Sequence, residues 1–139
     1  VSVAGTWRLE SFAVRDEQGN AVSYPMGEDP SGMLVYTEDG WMSVHLSHGG
    51  RPHFAGTSQR AGSTEEKSAA METYFSYAGS YEFTGDKVFH RIEVSSFPNW
   101  VGTEQWREPE LDGDLLTLRT PAVDGNRSTL VWRRVAKTG

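Results

Sequence analysis

Short alternations of apolar and polar residues recur along most of this chain, and they predict strands. In "GTWRLESFAVRDEQGN" the pattern alternates around Trp7 and Leu9, then slips one place to Phe12. A strand with a bulge near Glu10–Ser11 explains the slip. "AVSYPMGEDPSG" predicts a short strand followed by a loop marked by Pro and Gly. "GMLVYTEDGWMSVHLS" predicts a hairpin turned at Glu38, Asp39 and Gly40. "HGGRPHFAGTSQRAG" predicts a loop. The period then changes in "STEEKSAAMETYFSYAG", where Ser63 and Glu66 have capping-box spacing. Ala70, Met71, Tyr74 and Phe75 fit one face of a helix, with Gly79 as its exit or the start of the next strand.

Strand pattern resumes beyond that helix. Hairpins are expected at Thr84-Gly85-Asp86 and at Asp112-Gly113, and "GNRSTLVWRRV" is the final strand. Pro109 belongs at an edge, a bulge or a strand end, because it has no N–H to give a ladder. The total is about eight to ten short strands, mostly in adjacent pairs. Closing the sheet satisfies so many edges, so the expected fold is all-β: a small antiparallel β-barrel with one main α-helix, in a single domain over residues 1–139. A sandwich and a curved open sheet are the alternatives.

Alternation also sorts side chains by face. In "KVFHRIEVS" Val88, His90, Ile92 and Val94 share the expected inner face, while Lys87, Arg91 and Glu93 mark the outer one. In "TEQWREPE" two glutamates alternate with Gln105 and Arg107. Buried carboxylates need partners, which favours Gln105 and Arg107 inward and Trp106 outward, under the helix. In "WMSVHLS" Met42, Val44 and Leu46 form the core face and His45 lies outside. Tyr36 and Tyr81 are the tyrosines placed in strands and are the better pocket candidates. Tyr24, Tyr74 and Tyr77 read as rim or core packing. Asn99 and Trp100 lie in the turn "PNW", at an expected open end.

These positions gather a set of candidate ligand-binding residues: Tyr36, Tyr81, His90, Ile92, Asn99, Trp100, Gln105 and Arg107. Gln supplies both donor and acceptor, and Arg a rigid fork of donors, which suits a carbonyl, enolate or carboxylate. If the chain is an enzyme, His90 is the proton-transfer candidate, with Arg107 and Gln105 stabilising developing negative charge. The bland reading is a satisfied core histidine and a buried polar network that helps close the sheet.

Composition narrows the classes. The 139 residues carry 19 acidic and 13 basic side chains, a formal net charge of −6, and no cysteine. Broad contact with nucleic acid is disfavoured, and thiolate chemistry and disulfides are excluded. His45, His48 and His53 show no recognised ligand spacing with a carboxylate, so no metal is expected. There is no Walker-type loop, no dinucleotide fingerprint and no H-E-x-x-H, so no cofactor is expected. The opening "VSVAGTWRLESF" goes straight into strand pattern, and the expectation is a cytoplasmic chain without a signal peptide or membrane insertion. The pattern does not speak to oligomeric state.

Several phrases in order resemble the bacterial and fungal lipocalin-like domain family, a compact relative of the calycin barrels. They are "GTWRLESF", "YPMGEDPSGMLVYTEDGWMSV", "RPHFA", "YFSYAGSYEF", "VFHRIEVSSFPNWVGTEQWR" and "LLTLRTP", ending in "LVWRRV". The chain departs from many relatives by Arg91, where they carry a second His, and by Trp106, where they carry a smaller apolar residue. The resemblance implies a lipocalin-like barrel with an interior cavity near a capping helix. It implies binding of a small hydrophobic or aromatic metabolite. The alternative it implies is a cofactor-independent cyclase or isomerase of secondary metabolism, acting on a polyketide-like or terpenoid-like substrate. A protein-interaction domain would instead show an exposed aromatic patch.

Overall fold

The computed structural model describes residues 2–138. Their strands are β1 (Gly5–Arg15), β2 (Ala21–Ser23), β3 (Ser31–Tyr36), β4 (Trp41–Ser47), β5 (Tyr74–Phe83), β6 (Val88–Ser95), β7 (Glu104–Asp112), β8 (Leu115–Arg119) and β9 (Arg127–Arg134). All pair antiparallel in one nine-stranded sheet, and β1 pairs with β9 to close it. β2 pairs only with the far end of β1, so the closed ring runs through the other eight strands. The fold is an all-β barrel with one α-helix among the described residues, α1 (Thr64–Glu72).

The local expectations largely hold. The register of β1 against β9 shifts between Leu9 and Ser11, which places the bulge at Glu10. The β3–β4 turn ends on Gly40 at φ 98°, a left-handed conformation that favours glycine. Met42, Val44 and Leu46 are buried, and His45 is exposed. Pro109 pairs with β8 beyond the last β6 partner, Arg107, so its β6 side is locally an edge.

Four expectations need correction. α1 stops at Glu72 and Thr73 caps it, so Tyr74 and Phe75 open β5 instead of extending the helix face. The helix does start with the full Ser63–Glu66 capping box, yet none of its residues is buried. Gly79 lies within β5, neither at a helix exit nor at a strand start. There the register jumps from Ala78↔Val94 to Gly79↔Ile92, leaving Glu93 without a partner. A Cβ on Gly79 would stand 1.9 Å from the Arg91 carbonyl oxygen, so the bulge requires glycine. The bulge also reverses the alternation of β6. Val88, His90 and Ile92 are buried, but Val94 is exposed rather than inward. Trp106 does face outward, opposite Phe89, but it is covered by the Lys87 ammonium 4.6 Å from its ring rather than by the helix.

The two ends of the barrel differ. Residues 37–40, 84–87 and 113–114 make tight turns at one end, where Trp7, Tyr36, Val88 and Leu116 are buried. Trp7 donates its indole N–H to the Val3 carbonyl at 2.9 Å and carries the Arg134 guanidinium over its ring. The other end carries the longer connections, including α1 and the single-turn helix Pro98–Trp100. Among the described residues no helix is long and apolar enough to cross a membrane.

Candidate functional site

Inward-facing residues of the strands leave a cavity of about 620 Å³ that opens at the looped end. Its rim takes Met26, Met71 and Val123 from three different connections. Its walls are mostly apolar or aromatic, including Phe12, Phe75, Trp100, Leu118 and Leu130. Phe75 and Tyr77 meet the Trp100 ring edge-on at 5.2 and 5.4 Å, so the turn holding Trp100 is packed against β5.

Part of the cavity's polar surface comes from Tyr77, His90, Gln105 and Arg107, on the adjacent strands β5, β6 and β7. His90 is almost fully buried, at 1% exposure. Its Nε2 lies 2.6 Å from the Tyr36 hydroxyl and its Nδ1 lies 2.7 Å from the Tyr77 hydroxyl. These partners come from β3, β5 and β6, so the sheet register sets the geometry. Burial, reinforced by the nearby Arg107 cation, pushes the His90 pKa down to about 3. The imidazole is therefore neutral at pH 7 and carries one N–H. Burial raises the pKa of Tyr36 and Tyr77 as well, and both keep their protons at neutral pH. Arg107 opposes the rise at Tyr77 through its charge.

Arg107 lines the same space and donates Nη1–H to the Trp106 carbonyl at 2.9 Å. Its guanidinium carbon is 6.0 Å from the centre of the Trp100 ring. Gln105 also lines the cavity and reaches the Thr103 hydroxyl at 3.2 Å. Trp132 forms part of the inner wall, and its buried indole N–H has no acceptor among the described residues. Such a buried donor is uncommon and costs about 1–3 kcal/mol when it stays unmatched.

The structure brings His90, Trp100, Gln105 and Arg107 to the cavity surface. Tyr36 stands behind His90, outside the lining, and acts on it through the hydrogen bond. Tyr81 packs on Tyr36 with centroids 4.6 Å apart and donates to the Thr37 carbonyl, toward the tight-turn end. Ile92 is buried in the core without lining the cavity. Asn99 is exposed at the middle of its turn, while the next residue, Trp100, turns inward. Tyr77 and Trp132 are among the lining residues that the sequence candidates missed. Tyr77 belongs to the period-two run Phe75, Tyr77, Gly79, Tyr81, which a helical reading of Phe75 conceals. Trp132 alternates with Leu130 on the inner face of β9. Among the described residues no group of three or more His, Cys, Asp or Glu is arranged to hold a metal.

A family model described as a lipocalin-like domain matches residues 4–135. The chain belongs to the lipocalin-like domain family. This lipocalin-like barrel is also 35% identical over 109 residues to the 4'-hydroxy-3'-methoxypropiophenone carrier protein ppsC of Aspergillus oryzae, an alignment covering 69% of this chain and 98% of that protein. Among solved structures it is similar to a fatty acid transporter, REP1-NXSQ, at TM-score 0.46 and 12% identity, covering 98% of each chain. It is similar to a redesigned β-barrel at TM-score 0.45 and 14% identity, covering 96% of this chain and 92% of that one. At these scores the structural likenesses add nothing to the family assignment.

Proposed function

We propose that this lipocalin-like barrel binds a small hydrophobic or aromatic metabolite in its cavity and carries it. The observation that carries the reading is the cavity itself: about 620 Å³, walled mostly by apolar and aromatic side chains, with a polar group of Tyr77, His90, Gln105 and Arg107 on the adjacent strands β5, β6 and β7. That volume and that separation of apolar wall from polar anchor suit one small molecule held in one orientation. The carrier from Aspergillus oryzae, named for an aromatic ketone, supports an aromatic ligand bearing oxygen substituents.

The cyclase or isomerase alternative draws less support from the geometry. A general base needs a free nitrogen and a pKa near the working pH. Both nitrogens of His90 face tyrosine hydroxyls, and its pKa near 3 makes it a weak base.

The test is a titration with 4'-hydroxy-3'-methoxypropiophenone, followed by tryptophan fluorescence, since Trp100 and Trp132 both line the cavity. Saturable quenching with the compound recovered unchanged is the expected result. A second arm fills the cavity by Leu130→Trp, which should weaken binding at least about tenfold. Equal affinity in the filled variant would overturn cavity binding, and conversion of the compound would favour the enzyme.

A further inference from the structure

The hydrogens in the buried tyrosine–histidine–tyrosine chain can be counted. A neutral imidazole donates at one nitrogen and accepts at the other, so one tyrosine hydroxyl donates to His90 and the other accepts from it. The accepting tyrosine then has a hydroxyl hydrogen left over. Tyr36 is 1% exposed, lies outside the cavity lining and has His90 as its only hydrogen-bond partner among the described residues. A spare hydrogen on Tyr36 would be trapped in packed core, at a cost of about 1–3 kcal/mol. Tyr77 lines the cavity, so its spare hydrogen has somewhere to go. The favoured arrangement therefore has Tyr36 donating to Nε2, Nδ1–H donating to the Tyr77 oxygen, and the Tyr77 O–H directed into the cavity.

Another group in the cavity has the same polarity. Arg91, Arg119, Arg127 and Arg133 each pair with a carboxylate. Arg107, lining the cavity beside Tyr77, has no carboxylate within salt-bridge distance among the described residues. Glu72 is the one acidic residue in the lining, contributed by the last residue of α1. A half-buried cation beside a neutral hydroxyl donor matches an anionic oxygen better than a carbonyl, because hydrogen bonds to a charged acceptor are about twice as strong.

Resting on the carrier reading above, we propose that the β5–β7 wall of the cavity is an anion-accepting subsite. It holds one acidic oxygen of an otherwise apolar ligand, as a carboxylate, enolate or phenolate, between the Arg107 guanidinium and the Tyr77 hydroxyl. The ligand class is thus an aromatic acid or acidic phenol, with its body along the Phe12, Phe75 and Leu118 walls.

Two dyes with one skeleton test this: 1-anilinonaphthalene-8-sulfonate, which is anionic, and N-phenyl-1-naphthylamine, which is neutral. The wild-type chain should bind the sulfonate at least about tenfold more tightly. Arg107→Gln should erase that preference while leaving the neutral dye within about twofold, and Tyr77→Phe should reduce it by about three- to tenfold. Leu130→Trp should weaken both dyes, which places them in the cavity. Equal binding of the two dyes, indifferent to Arg107→Gln, would overturn the anion subsite and leave the carrier reading standing. Failure of both dyes and of the aryl ketone to bind would remove the carrier reading too. Independently, nitrogen-15 NMR of His90 should show Nδ1 protonated and Nε2 bare. The opposite tautomer would overturn the hydrogen count behind the proposal.

Discussion

At the tight-turn end of the barrel, Trp7, Tyr36, Val88 and Leu116 are each fully buried and fill the interior. At the looped end, Phe12, Phe75 and Trp100 remain only partly buried around open space. The strands are the same strands. What differs is the connection and the size of the inward residue, and the His90 chain marks the boundary between packed core and cavity. The barrel's stability should accordingly be concentrated at one end, and its capacity to bind at the other.

The strongest way to break that comparison is to truncate one aromatic at each end. Trp7→Ala removes a fully buried indole, its hydrogen bond to Val3 and the platform under Arg134. It should cost about 3–5 kcal/mol in urea unfolding. Phe12→Ala, at a wall that already faces open space, should cost clearly less and instead weaken dye binding. Equal costs would show that the looped end is as tightly packed as the closed one.

The boundary itself should respond to acid. His90 has its pKa near 3 in the folded chain, against an ordinary value of 6.5 that the unfolded chain will approach. Between those values the unfolded chain binds more protons, so stability is fully present above pH 6.5 and is lost as pH falls toward 3. Relative to pH 7.5, the loss at pH 5 should be about 2 kcal/mol. Glu66 and Glu108 have lowered pKa values, from backbone hydrogen bonds and from Arg127 respectively, so their contributions disappear only below about pH 4.5. The window from pH 6.5 to 4.5 therefore isolates His90. His90→Gln should flatten the stability profile there, and an unchanged slope would show that the imidazole charges without unfolding the chain.

The same division explains what the sequence revealed. Strand alternation found the barrel, the inward set His90, Gln105 and Arg107, and the outward Trp106, because period two is a local signal. It missed Val94, because the bulge that reverses β6 is imposed by Gly79 on the neighbouring strand. It missed Tyr77 as a cavity residue because Ala70, Met71, Tyr74 and Phe75 also satisfy a helical spacing. Only the cap at Thr73 separates α1 from β5. The pairing of His90 with two tyrosines depends on residues 54 and 13 positions away. No local pattern carries that information, since barrel closure and register create it.

The smallest expected effect lies at the rim. The Ser63 hydroxyl accepts the Glu66 N–H at 3.1 Å, and the Glu66 carboxylate returns the bond to the Ser63 N–H at 2.9 Å while also holding the Ala55 N–H at 2.8 Å. Ser63→Ala should cost α1 about 1 kcal/mol. Because the helix buries none of its residues, the loss should stay local instead of spreading to the barrel. Amide exchange within α1 should speed up about fivefold, while the urea midpoint moves by less than the equivalent of about 0.5 kcal/mol. Met71 and Glu72 at the end of this helix line the cavity, so looser capping should also raise the rates of dye entry and release together, with little change in affinity. A matching fall in global stability would mean that α1 is part of the barrel's core structure, and the contrast between a rigid closed end and a lightly covered open end would have to be given up.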